Sequence, residues 1–144
     1  MYHVHLVGNS ILLPEIAGLD RLAAYPVFSQ ENFDLLTLGD VALQRQLIEA
    51  FLRHSAQSRD DLLKAARSGS EPFAEAIHRL KGSCHFTAGD RLLRLLNVIS
   101  DRTKMKRQKY RIAAAQAILE GLDQLEEALS AVLAQIPGMA NTSI

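Results

Sequence analysis

The chain holds one cysteine, Cys84, and no tryptophan. A single thiol cannot close an internal disulfide, which suits a reducing compartment. Charge of one sign is also missing: 16 Lys+Arg face 16 Asp+Glu, a formal net charge of zero. That balance argues against general nucleic-acid binding, which is usually marked by a basic excess. No apolar run reaches the roughly 18–20 residues that span a bilayer. The opening residues, MYHVHLVGNS, lack the basic stretch and long apolar segment of a signal peptide. The expectation is a cytoplasmic protein without direct membrane insertion, whether free-standing or the end of a larger one. Internal repeats and low-complexity tracts are absent as well.

What is present is an ordinary globular composition. The 144 residues are 48% apolar and 22% charged, enough for one domain with a core. Residues 1–28 read as a leading segment or linker. There Tyr2, Val4 and Leu6 alternate with His3 and His5 in a weak strand-like pattern, and Pro14, Gly18 and Pro26 interrupt the remainder of the segment. One helix is expected near Pro14–Ala24 and a short one near Gln30–Leu36. Asp40 reads as an N-cap, and from Val41 apolar residues recur at helical spacing through Leu47, Phe51, Leu62 and Ala66 to a C-cap at Gly69. The polar stretch His54–Asp61 is a place for a kink. Ser70 reads as the next N-cap, Ala88-Gly89-Asp90 as a stop and restart, and Leu92 to Ile99 as a third helix. The last helix carries the clearest stripe, Ile118, Leu122, Leu125, Leu129 and Ile136, before Pro137-Gly138. Four amphipathic helices with short connections imply an all-α fold, an antiparallel four-helix bundle with one or two short N-terminal helices. The domain is placed at 29–137, with 138–144 as a C-terminal tail.

The chemistry points to the Ser70–Thr87 helix. At about 100° per residue, Phe73, Ile77, Leu80, Cys84 and Thr87 fall within about 40° of one direction. His78 lies about 140° from that direction, in company with Ala74, Lys81, Gly82 and His85. Its neighbours four residues away, Ala74 and Gly82, are both small. Glycine inside a helix costs about 0.8–1 kcal/mol against alanine, and the benefit expected of Gly82 is close approach to the ring. Lys81, three residues on, can bring a cation to a charge carried by His78. Free imidazole titrates near about 6.5, so a neutral, nucleophilic fraction exists at neutral pH. Such a nitrogen can accept a phosphoryl group and give it up again, since phosphoryl transfer asks mainly for positioning and charge compensation.

The string Ala76-Ile77-His78-Arg79-Leu80-Lys81-Gly82-Ser83 resembles the A-H-x-L-K-G-S/A signature of bacterial histidine-containing phosphotransfer (HPt) domains. The likeness extends over about residues 30–135 on the helix pattern. Here Ile77 directly precedes the histidine, Gly89 falls one place later than in many members, and Ser100 stands where many carry an acidic residue. The resemblance implies that His78 is phosphorylated by a receiver-domain aspartate and passes the group to another receiver. Lys81 would stabilise the phosphoryl group and Gly82 would keep the approach clear. Ala74, Ser83 and His85 would touch the partner. The implied partners are response-regulator receiver domains or a hybrid histidine kinase. No cofactor is expected on this chain, magnesium belonging to the receiver. Without a glycine-rich nucleotide loop, the chain is expected to be a phosphocarrier and not an ATP-dependent kinase. The alternative is a non-phosphorylated helical adaptor that binds receiver domains.

Three other features have plainer readings. His85 sits two turns from His78, about 10 Å along the axis, too far for both to hold one zinc. Cys84 reads as a small buried hydrophobe. His3 and His5 read as surface residues. The run Arg102, Lys104, Lys106, Arg107, Lys109, Arg111 is either a solvated helix start or loop, or a docking patch for an acidic partner, with a nucleic-acid arm the weaker option.

Overall fold

The computed structural model describes residues 19–136. A 3-10 stretch at Leu19–Ala24 precedes α1 (Gln30–Thr37), α2 (Val41–Ser68), α3 (Ser70–Phe86) and α4 (Asp90–Val98); a 3-10 turn at Lys104–Lys106 leads into α5 (Gln108–Gln135). Among the described residues there is no strand, and no helix is long and apolar enough to cross a membrane. The alternation at Tyr2–Leu6, the start of the helix expected from Pro14 and the 138–144 tail lie outside the described residues. The described part of that expected helix, Leu19–Ala24, is a 3-10 helix.

Local signals set most boundaries. Ser29 Oγ accepts from the Asn32 amide at 3.1 Å and opens α1, which ends where Leu38 turns left-handed at φ 54°. Asp40 caps α2 by accepting from the Leu43 amide at 3.1 Å. Helical structure in α2 continues through the polar stretch His54–Asp61 without a break, to Ser68. Its polar middle is tied to α5, since Arg59 reaches Asp123 at 2.6 Å and Glu126 at 2.8 Å. Burial opposes the Arg59 charge, but the two carboxylates outweigh it and raise its pKa. The expected Ser70 cap is also corrected. Gly69 alone joins α2 to α3, ending one and starting the other, so Ser70 is already helical and makes no cap bond.

α2 lies against α3 and α5, α4 against α3 and α5, and α1 against α2. The shared interior includes Phe33, Ile48, Phe73, Leu96, Ile118 and Leu125, each fully buried. Each such side chain contributes about 1.5–3 kcal/mol relative to exposure. Arg111 of the basic run is buried: 6% exposed, it donates Nε to Ala66 O and Nη1 to Met105 O, both at 2.7 Å. Tyr110 donates its hydroxyl to Ile99 O at 3.0 Å, and Met105 is buried. These bonds fix the connector between α4 and α5.

Candidate functional site around His78

The inward face of α3 sets the direction of everything else on it. Phe73, Ile77, Leu80, Cys84 and Thr87 are all buried, as their spacing requires. Burial pushes the Cys84 thiol from 9.0 up to about 12, so it is a core hydrophobe in chemistry as well as position. Thr87 keeps its hydroxyl satisfied inside by donating to Ser83 O at 2.9 Å.

With that face buried, His78 is exposed. Ala74, one turn before it, is half-buried and packs on the core. Gly82, one turn after it, is half-buried, and a Cβ placed there would meet nothing within 4 Å. Neither packing nor backbone conformation demands glycine at that position. Lys81 is half-buried and three residues from His78, a helical spacing that puts its flexible side chain within reach of a group on the ring.

His85 is exposed, with its ring edge-on to Phe86 at 5.7 Å between centroids. It also lines a cleft with Leu35, Leu36, Ala88 and Leu93. Leu35 and Phe86 are 69% and 55% exposed, so an apolar rim stands at the C-terminal end of the His78 face. Sequence reasoning did not find this rim. Its signal was the α1 pattern, in which Phe33 and Thr37 turn inward and so leave Leu35 and Leu36 outside.

Ser83 is not brought together with His78. Five residues of helix turn it about 140° away, and it lines a groove with His54, Ser58 and Arg79 beside α2. Among the described residues no group of three or more His, Cys, Asp or Glu side chains could hold a metal ion.

The arrangement is thus a solvent-facing imidazole on a long helix, with small residues on either side and a lysine one turn away. An unblocked ring nitrogen of this kind can attack an electrophilic phosphorus, and a nearby ammonium can offset the charge that results. No protein-family model matches the chain, and no curated protein or solved structure matches it. The likeness to histidine phosphotransfer domains therefore rests on the α3 string and its setting.

Proposed function

We propose that this chain is a histidine phosphotransfer module of a two-component phosphorelay. The observation that carries the reading is the empty space over Gly82 beside an exposed His78. A helix interior that gives up about 1 kcal/mol of propensity, where packing asks for nothing, has made room for something outside. In this reading α2–α5 form an antiparallel four-helix bundle and α1 is the short helix before it, and the module works in the cytoplasm.

The step balances simply. A receiver phosphoaspartate presents phosphorus in a mixed anhydride. The neutral His78 Nε2 attacks it, the bond to the aspartyl oxygen breaks, and the aspartate leaves as carboxylate. The phosphoimidazole sheds its Nδ1 proton to water as its ionisation requires. Lys81 offsets the added negative charge. The second receiver reverses the sequence, its carboxylate attacking and His78 leaving. Magnesium and acid–base groups come from the receiver, so this chain binds no cofactor and gains no phosphate from ATP.

The test is to mix the protein with receiver domains loaded from acetyl phosphate and follow acid-labile, base-stable phosphate. The wild type is expected to accept it and His78→Gln to accept none. Because His78 is exposed, the variant should unfold within about 0.5 kcal/mol of wild type. A wild type that binds receivers yet never carries phosphate overturns this reading in favour of the adaptor. Labelling by Mg-ATP alone contradicts the absence of kinase activity.

A further inference from the structure

The basic run divides into two parts once its side chains are placed. Arg111 and Tyr110 turn inward and anchor the segment through Ala66, Met105 and Ile99 carbonyls. Lys106 and Lys109 are exposed. Arg102 reaches Glu71 of α3 at 3.6 Å, and the Lys104–Lys106 turn packs on α3. The positive charges therefore stand on a fixed ledge and not on a loose tail.

The Arg102 to Lys106 end of the ledge adjoins the N-terminal part of the His78 helix. Glu71 precedes His78 by seven residues, which is two turns, about 10 Å along the axis and about 20° around it. A domain covering His78 would meet the ledge on one side and the Leu35–Leu36–Leu93 cleft on the other.

We propose that this ledge is an electrostatic docking surface for an acidic patch on a folded protein partner, acting on the rate of encounter. The inference rests on the phosphotransfer reading and names the surface character of the receiver that uses it. Three observations favour a folded protein over nucleic acid. Glu71, Glu75 and Asp101 are exposed at or beside the ledge, a mixed pattern that repels a uniform polyanion. Tyr110, the one aromatic in the run, is 3% exposed and cannot stack on a base. The chain's charges sum to zero, so the positive field is local. Exposed charges act over about 8–10 Å at physiological salt and steer diffusion more than they hold a complex. The expected signature is thus in the second-order rate and not in the transfer step.

The experiment compares wild type with Lys106→Glu/Lys109→Glu, using the receiver domains of the source genome, each loaded from acetyl phosphate. Both lysines are exposed, and thermal unfolding checks that the fold is kept. The second-order transfer rate of the variant should fall by about tenfold at low salt and converge on wild type at about 0.5 M NaCl as charges are screened. The single-turnover rate at saturating receiver should be unchanged. Equal rates at low salt, or equal salt slopes, overturn the inference while leaving wild-type transfer intact. So does tighter binding to a 20-base-pair DNA duplex than to the receivers at the same salt. A wild type that takes phosphate from no receiver instead overturns the phosphotransfer reading, and this inference with it.

Discussion

Replacing Gly82 should move stability and function in opposite directions. The residue is inside α3, its φ is outside the left-handed region, and a Cβ there would meet nothing within 4 Å. Gly82→Ala therefore gains helix propensity at no packing cost, about 0.8–1 kcal/mol. With an unfolding entropy of about 2.1 cal/mol/K per residue, a chain of this length should gain about 3 °C in Tm. Gly82→Leu should also remain at least as stable as wild type, since leucine forms helices well. Its Cβ, one turn from His78, would stand about 5–6 Å from the His78 Cβ, and its side chain would displace an incoming phosphorus. Misplacement by about 1 Å can cost on the order of 100-fold, and a loss of that size in transfer is expected. Two other glycines serve as controls. An added Cβ at Gly121 would lie 2.8 Å from Leu92 Cδ1, and at Gly89 2.6 Å from Leu125 Cδ2. Both leucines are buried, so making room for the new methyl should cost about 1–3 kcal/mol, offset at Gly121, inside α5, by about 0.8–1 kcal/mol of helix propensity; neither alanine variant should gain as Gly82→Ala does. Thermal unfolding and phosphotransfer on the same preparations supply both readings. A Gly82→Leu protein that transfers like wild type, or a Gly82→Ala protein that melts earlier, refutes the role given to this glycine.

Arg111→Met should cost about 2–4 kcal/mol in chemical denaturation, because it strips the partner from two buried carbonyls, Ala66 and Met105; a change under about 0.5 kcal/mol would show the clasp to be idle. Cys84 should resist thiol reagents in the native protein and react after unfolding. With its thiol raised from 9.0 to about 12, the folded state keeps a proton that the unfolded chain loses above pH 9, so stability should fall as pH rises through 9 to 12. Cys84→Ala should flatten that part of the profile, and an unchanged slope would contradict the assignment.

The parts of this protein that were legible in its sequence are those decided within one helix. Phe73, Ile77, Leu80, Cys84 and Thr87 share a direction by spacing alone, and that fixes His78, Ala74, Lys81 and Gly82 outward. Asp40 declared itself as a cap because capping is a bond to an amide three residues away. The misreadings arise where distant segments decide. The polar middle of α2 meets α5 through Arg59, Asp123 and Glu126, a partnership that no local window contains. Ser70 lost its cap because Gly69 leaves it no place outside the helix. Arg111 looked like the rest of a charged run, yet the folded chain brings it to a carbonyl 45 residues earlier. The apolar rim needed α1 to settle near the α3–α4 corner, a tertiary fact.

The most direct measurement is to locate the phosphate after the protein meets a loaded receiver, by fragmentation mass spectrometry under conditions that keep phosphoramidates. His54 and His85 are exposed as well and serve as internal references. Phosphate is expected on His78 and on neither of the others. Phosphate on His54 or His85 with His78 bare, or a receiver that discharges without marking any histidine, would contradict the relay.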